Sequence, residues 1–329
     1  MCRVAAGPRR TEPAPVSVPT VEIIRDWRGL PADLRGASAA VGAFDGVHLG
    51  HQVVIRQAVE RARALGVPAA VVSFDPHPRR LFQPYAAPFR LMTPEQMARA
   101  LAPLGVERLY LLPFDAEMAA MSDHGFAADV LSGGLGLKHV AVGFDFTFGK
   151  GRSGSPEALA RYGEDLGFTV SLTPRRDDEG GLKLSSSAVR EALSAGDMAR
   201  AAAILSRPFA IAGEVIHGDK RGRVIGVPTA NVSLGDYQRP LYGIYATRTR
   251  LPDGGVFGGV ANLGVRPMFE LETPLLEVWL FDFSGDLYGQ TIETELVARL
   301  RGEMNFDGLD ELKAQIQIDA ARARAVLAT

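Results

Sequence analysis

The sequence contains a single cysteine, Cys2, and almost no net charge. One cysteine cannot form an intrachain disulfide, which argues against a secreted disulfide-stapled protein and favours a reducing, cytoplasmic environment. A formal net charge of −2 provides no broad basic surface, so bulk nucleic-acid binding is not indicated. No apolar run approaches the ~20 residues of a membrane span, so no membrane segment is expected. What remains, with 47% hydrophobic and 22% charged residues, is typical of a soluble globular protein.

The length of 329 residues favours two domains. Residues 1–20 contain arginines and prolines but no apolar core, so they do not resemble a secretory signal, and we expect a disordered extension. The pattern changes near residues 206–209, which predicts one domain over 21–205 and a second over 206–329.

The first predicted domain alternates apolar strands with amphipathic helices. This alternation is typical of an α/β fold with a mainly parallel sheet, which binds ligands at the carboxyl ends of its strands. The predicted strands are 21–27, 39–44, 69–74, 108–112, 138–144 and 169–173, and the predicted helices are 52–65, 93–103, 122–131, 155–166 and 186–193.

The second predicted domain contains short strands separated by turns, which indicates an antiparallel sandwich or barrel. Its predicted strands are 210–215, 243–249, 256–263, 276–283 and 291–300. An amphipathic helix closes the chain, with Leu309, Leu312, Ile316, Ala320 and Ala323 at helical spacing.

The segment 40–51, AVGAFDGVHLGH, is the most informative stretch of the first domain. A buried strand is expected to enter a tight turn that ends at the N-terminus of a helix, where unpaired N–H groups bind anions. His48 and His51 are three residues apart and therefore share a face if both lie in the first helical turn. Taken alone, these histidines also fit surface positions or half of a metal site.

A second candidate motif is LSSSAVR, residues 184–190. Ser186 or Ser187 is a good N-cap for the following helix, and the same hydroxyls with Arg190 could bind phosphate. The nearby segment 143–151, GFDFTFGKG, is not a P-loop, because five residues separate its glycines and Gly151 replaces the required serine or threonine.

A third candidate site lies in the second domain, in residues 213–231. Its glycines and basic residues could form a loop that closes over phosphates, although an exposed hairpin with solvated charges is equally typical of such a pattern. Thr229 and Asn231 supply oxygen ligands of the kind that Mg²⁺ prefers. Glu277 is either an outward-facing strand carboxylate or a general base for phosphoryl transfer.

Taken together, the motifs resemble those of a known family. GxFDGxHxGH resembles the signature of nucleotidylyltransferases, LSSSAVR resembles their ISSTxIR motif, and residues 222–231 resemble the GRxxGxPTAN motif of riboflavin kinases, with Val227 in place of phenylalanine. The chain therefore resembles the bacterial bifunctional riboflavin kinase/FAD synthetases. This resemblance implies a Rossmann-like nucleotidylyltransferase domain with a parallel sheet, then a riboflavin kinase β-barrel with a terminal helix.

The resemblance also implies the reactions and the residues that serve them. Riboflavin and ATP would give FMN in the second domain, with Mg²⁺ as cofactor, and FMN and ATP would give FAD and pyrophosphate in the first. The implied adenylyltransferase residues are Gly42, Phe44, Asp45, Gly46, His48, His51, Asp145, Ser186, Ser187 and Arg190. The implied kinase residues are Gly218, Lys220, Gly222, Arg223, Gly226, Pro228, Thr229, Asn231, Asn262, Glu277 and Arg301, with Glu277 as base and Thr229 and Asn231 as Mg²⁺ ligands.

Two other functions remain open from the sequence. One is an adenylyltransferase for a different phosphorylated cofactor precursor, which would leave the PTAN segment unexplained. The other is a non-enzymatic flavin carrier, which would need neither the base nor the metal ligands. The expected partners are small molecules rather than nucleic acid or membrane, and the sequence leaves open whether the chain forms a homo-oligomer.

Overall fold

The computed structural model describes residues 20–174, 183–218, 227–268 and 271–328. Within these residues, a parallel six-stranded sheet with helices is followed by a closed six-stranded antiparallel barrel and a terminal helix. This arrangement confirms the predicted fold class. The expected N-terminal extension, apart from residue 20, lies outside the described residues.

The sheet has the strand order β1-β4-β3-β2-β5-β6, and all of its pairings are parallel. Continuous apolar runs form the central strands because helices cover both faces of a parallel sheet. Every predicted strand of this sheet is present, β3, β4 and β6 with the predicted bounds. The strands are β1 (Glu22–Ile24), β2 (Ser38–Val41), β3 (Ala69–Phe74), β4 (Arg108–Leu112), β5 (His139–Gly143) and β6 (Thr169–Thr173).

Caps position the helices around the sheet. Thr93 forms a reciprocal capping box with Gln96, and Ser155 caps the helix that Pro156 begins. The helix predicted at 122–131 is a short α-turn that continues as a π-helix (Phe126–Gly134). The helices are α1 (Leu49–Leu65), α2 (Pro78–Phe82), α3 (Pro94–Leu101), α4 (Ala116–Ala120), α5 (Asp123–Gly125), α6 (Pro156–Leu166), α7 (Ser186–Ala195) and α8 (Met198–Leu205). No helix in the described ranges is both long and apolar enough to cross a bilayer.

The barrel has the strand order β10-β11-β8-β7-β12-β9. The end of the PTAN segment contributes a strand that was not predicted, β8 (Ala230–Ser233). The strand predicted at 276–283 begins earlier and ends at Leu280. The strands are β7 (Phe209–Ile216), β8 (Ala230–Ser233), β9 (Gly243–Arg250), β10 (Val256–Met268), β11 (Leu271–Leu280) and β12 (Thr291–Arg301).

The terminal helix, α9 (Leu309–Leu327), packs against the outside of the barrel. Ala320 and Ala323 are buried against Ala246 and Val260. Leu309, which the periodicity placed on the buried face, is 61% exposed, whereas Leu312 and Ile316 are half-buried.

Three large clusters of buried side chains form the core. Two of them cover opposite faces of the sheet: Val71 and Leu109 belong to one, and Val72 and Tyr110 to the other. The third joins α7 and α8 to the inside of the barrel. The helices that carry and follow the LSSSAVR motif therefore share a core with the barrel.

Candidate active sites

The first site is built on the turn between β2 and α1. Phe44, Gly46 and Val47 have φ angles of 47°, 93° and 41°, in the left-handed region that non-glycine residues rarely adopt. Gly50, in the first turn of α1, approaches the backbone of the segment before α7, because a Cβ there would lie 3.0 Å from the carbonyl oxygen of Leu184. The N-termini of α1 and α7 therefore meet at this turn.

The two histidines of the motif are in contact, as their spacing predicted. His48 is the N-cap of α1, its Nδ1 accepts a hydrogen bond from the His51 N–H at 3.3 Å, and the two rings stack at 3.5 Å. Burial, helped by the positive charges of Arg190 and Arg207, lowers the pKa of His48 to about 4. Burial also holds the pKa of His51 well below its usual value. Both imidazoles are therefore neutral at pH 7, and each offers one N–H donor.

His51 has unused hydrogen-bonding capacity. Its Nδ1 is buried and finds no hydrogen-bond partner among the described residues. Because such a buried atom is costly to leave unpaired, it marks a place where a ligand atom would bind.

Asp45 and Arg190 form a buried ion pair beside the histidines. Asp45 Oδ2 lies 2.5 Å from Arg190 Nη2, and Asp45 Oδ1 accepts from the Leu91 N–H at 2.9 Å. Arg190 Nε also donates to the carbonyl oxygen of Phe89 at 2.8 Å. Burial raises the pKa of Asp45, whereas Arg190 and the Leu91 amide oppose that rise. The carboxylate thus orients Arg190.

The N-cap predicted for the second motif is wrong. The N-cap of α7 is Ser185, whose side chain accepts from the Ala188 N–H, and not Ser186 or Ser187. Ser186 lies one position inside the helix and donates from Oγ to the carbonyl oxygen of Asp45 at 2.8 Å. Ser187 is exposed. Ser186 therefore joins α7 to the turn before α1.

A cavity of about 1230 Å³ opens at this turn. Its volume exceeds that of a typical single-ligand pocket, so it can accommodate two small molecules. The residues predicted for the site that line it are Gly42, Phe44, Asp45, His51, Asp145, Ser186 and Arg190, whereas Gly46, His48 and Ser187 do not.

Sequence reasoning missed the apolar wall of this cavity. It comes from the ends of β3 and β4, from α2 and α4, and from the segment after β5, which are distant in the chain. Phe146 and Phe148 of the DFTF sequence were the available signal. The side chains of the wall are Phe74, Leu81, Phe82, Phe114, Met118, Phe126, Phe146 and Phe148.

The second site is a row of polar side chains across the barrel. Asn231 on β8 is paired in register with Glu277 on β11, which is paired with Asn262 on β10. Directly opposite residues in antiparallel strands point to the same face. Asn262 Nδ2 donates to Glu277 Oε2 at 3.4 Å. The row faces away from the barrel core, which is formed by the alternate residues.

The side-chain oxygen of Asn231 is buried and can accept a further hydrogen bond or bind a cation. Its Oδ1 makes no hydrogen bond with the described residues. Gly218 packs against the same amide so closely that a Cβ would lie 2.5 Å from Asn231 Nδ2. Thr229 is half-buried and Pro228 is exposed, whereas Lys220, Gly222, Arg223 and Gly226 lie outside the described residues.

Arg301 contacts the terminal helix. Its Nε and Nη2 donate to the buried carboxylate of Asp319 on α9, at 2.7 Å for the shortest bond, and its Nη1 donates to the carbonyl oxygen of Gly302. In this structure it therefore anchors α9 against the end of β12.

Comparison with protein families gives two matches that together span most of the chain. Residues 30–188 match the family described as FAD synthetase, and residues 205–327 match the family described as riboflavin kinase. The two sites described above fall one in each half.

Similar proteins extend over the whole chain. Proteins named bifunctional riboflavin kinase/FMN adenylyltransferase are 42% identical in Pseudomonas fluorescens, over 94% of this chain and 98% of that protein, and 41% identical in Escherichia coli K12, over 92% and 97%. A crystal structure from Streptococcus pneumoniae, described as a macrolide-efflux protein, is 32% identical. It superposes with a TM-score of 0.80 over 92% of this chain and 99% of that one.

Proposed function

The chain belongs to the family of bifunctional riboflavin kinase/FMN adenylyltransferases, and on that basis we propose which of its residues carry each reaction. The barrel half is the riboflavin kinase, and the half with the parallel sheet is the FMN adenylyltransferase. The domain boundary at 205/206 and a cytoplasmic location, which the single cysteine favours, remain part of the proposal.

Adenylyl transfer takes place in the large cavity beside the turn between β2 and α1 (residues 42–48), which we call the HxGH turn. A phosphate oxygen of FMN attacks the α-phosphorus of ATP, the bond to the β-phosphate breaks, and pyrophosphate leaves with its electron pair. The nucleophile is already an anion, so no general base is needed. The protein must instead stabilise the negative charge on the phosphates and on the departing pyrophosphate. His51 and Arg190 supply hydrogen-bond donors for this, and the converging N-termini of α1 and α7 supply the positive ends of two helix dipoles.

The observation that carries this assignment is the buried Nδ1 of His51, which has no hydrogen-bond partner among the described residues and belongs to a side chain lining the same cavity as Arg190. His48 supports His51 by stacking on it, and Asp45 and Ser186 hold Arg190 and the turn in place. The aromatic wall offers a surface for the flat flavin ring of FMN. Asp145, which directly precedes Phe146 of this wall, lines the same cavity and stays a candidate for nucleotide contact.

Phosphorylation of riboflavin takes place at the polar row on the barrel. Glu277 accepts the proton of the ribityl 5′-hydroxyl as that oxygen attacks the γ-phosphorus, and ADP leaves. Asn262 hydrogen-bonds to Glu277 and orients its carboxylate. Positioning supplies much of the rate enhancement in phosphoryl transfer, so a fixed base next to the phosphate site is what this reaction requires.

The residues present fit Mg²⁺. Thr229 and Asn231 carry hard oxygen atoms, and Asn231 Oδ1 is buried without a partner among the described residues. These two residues would hold the ion together with the nucleotide phosphates, and the ion would neutralise charge on those phosphates.

A chromatographic time course with two variants tests the assignment. With riboflavin, ATP and Mg²⁺, the unmodified protein should form FMN and then FAD, with ADP and pyrophosphate as co-products. Glu277→Gln should stop FMN formation but still convert added FMN to FAD, and His51→Asn should do the reverse. If either substitution reduced both reactions equally, the separation of the two sites would be wrong.

A further inference from the structure

The carbonyl oxygens of the HxGH turn are held from outside the turn. Ser186 donates to the carbonyl oxygen of Asp45, and Gln52 Nε2 donates to that of Val47 at 3.2 Å. Arg207 Nη2 donates to the carbonyl oxygen of Gly46 at 2.6 Å, and its Nη1 reaches that of Val47 at 3.4 Å. Consecutive backbone groups of the turn are thus fixed by side chains from α7, α1 and the segment after α8.

The turn needs such support because its backbone is strained. Val47 is β-branched and has a φ of 41°, and Gly46 before it has a φ of 93°. A non-glycine residue such as Val47 keeps a conformation of this kind only where surrounding contacts impose it. His48 follows Val47 directly, so relaxation of the turn would move the N-cap of α1 and the stacked histidine pair.

Arg207 is well placed to impose this conformation. It lies between α8 and β7 and is half-buried. Its hydrogen bonds to the described residues all go to backbone carbonyls, the third being that of Leu205 at 3.0 Å. Among the described residues, Glu293 is the carboxylate that favours its charged form, and it does so without forming an ion pair. The guanidinium charge is therefore available to the turn rather than neutralised locally.

We propose that Arg207 is a positioning residue for adenylyl transfer: its guanidinium holds the Gly46 and Val47 carbonyls, so that His51, supported by His48, faces the phosphates. This inference rests on the proposed role of the histidines. Arg207 lies beyond residue 188, where the FAD synthetase match ends, and inside the riboflavin kinase match that starts at 205. The kinase half of the chain thus completes the adenylyltransferase site.

The test uses the full-length protein with Arg207→Gln and Arg207→Lys. The matched control is Arg99→Gln, which removes another arginine that links the two halves, through Glu293, without contacting the turn. FAD formation from added FMN, FMN formation from riboflavin and the melting temperature are measured for each variant.

We expect Arg207→Gln to lower kcat for FAD formation at least tenfold and to leave FMN formation within twofold. Arg207→Lys keeps the charge and can donate a hydrogen bond to one of the carbonyls. Its kcat for FAD formation should therefore lie between those of Arg207→Gln and the unmodified protein. Arg99→Gln should keep both activities within twofold. General destabilisation would not give partial recovery of FAD formation in Arg207→Lys together with an unchanged melting temperature.

Two results would overturn the inference. One is wild-type FAD formation in Arg207→Gln; the other is a parallel loss of both activities together with a lower melting temperature, which would make Arg207 a residue of the general fold. A His51→Asn variant separates this inference from the proposed function. If His51→Asn also forms FAD at the wild-type rate, the assignment of the site itself fails. If His51→Asn is inactive and Arg207→Gln is not, only the role of Arg207 fails.

Discussion

Asp45→Asn tests the buried ion pair beside the HxGH turn. Asparagine has nearly the same shape as aspartate, and its Oδ1 can still accept from the Leu91 N–H. The substitution therefore removes the negative charge opposite Arg190 and replaces the Oδ2 that accepts from the guanidinium with an amide N–H donor. Arg190, whose side chain is 18% exposed, would then be a mostly buried cation without a counter-charge.

The expected cost follows from that burial. Removing one partner of a buried ion pair typically costs 3–5 kcal/mol, because the remaining charge is left uncompensated. Arg190 keeps its bond to the Phe89 carbonyl and some access to water, so we expect a loss near the lower limit, about 3 kcal/mol. FAD formation should fall as well, because Arg190 loses the group that orients it.

Urea unfolding at pH 7 measures the free-energy difference. The chain has two tryptophans, Trp27 beside the sheet and Trp279 in the barrel, so fluorescence follows both halves. Asp282→Asn is a matched control, because it makes the same chemical change in an aspartate–arginine pair with Arg324 whose side chains are 77% and 52% exposed. Exposed pairs contribute little, so this control should unfold like the unmodified protein.

A double variant tests the cause of the loss. If an unpaired charge is responsible, Asp45→Asn with Arg190→Met should be more stable than Asp45→Asn alone. Equal losses from Asp45→Asn and Asp282→Asn, or a double variant less stable than Asp45→Asn, would refute the reasoning.

Three further outcomes are expected. Glu277→Gln should lower FMN formation by about 10²–10⁴-fold, the usual contribution of a general base, while FAD formation from added FMN measures the intact second site. Gly218→Ala should lower riboflavin kinase turnover but not FAD formation from added FMN, because the new Cβ would collide with the Asn231 amide 2.5 Å away. A kinase rate equal to that of the unmodified protein would contradict this. Burial lowers the pKa of His139 to about 4 from its usual 6.5, so its stabilising effect is complete above pH 6.5 and is lost as pH falls towards 4. His139→Gln should remove about 2 kcal/mol of the acid sensitivity between pH 7 and pH 5, measured by comparing urea midpoints at these two pH values.

Elements with strong local signals were predictable from the sequence. The strand Arg108–Leu112 and the start of α6 at Pro156 match their predictions, because an apolar run and a Ser–Pro cap act within a few residues. The HxGH contact was also predictable, since helical spacing alone brings His48 and His51 onto one face.

Other features depend on contacts that the sequence does not show. Ser185, Ser186 and Ser187 are equally good caps by type, and the bond from Ser186 to the distant Asp45 carbonyl accompanies the choice of Ser185. The aromatic wall is assembled from several separate segments. Arg207 precedes an ordinary proline in the sequence, and only the folded chain brings it to the turn before α1.

The shared core of α7, α8 and the barrel limits how the two halves can be exchanged between relatives. Ala192, Leu193 and Ile204 pack with barrel residues such as Ile211 and Leu263. A chimaera joined at residue 205 would therefore set foreign helices against a native barrel across a closely packed surface. A junction placed before α7 would carry the helices along with the barrel, but it would separate Ser186 and Arg190 from the turn that they hold. Recombination in this family should thus favour whole chains over individual halves.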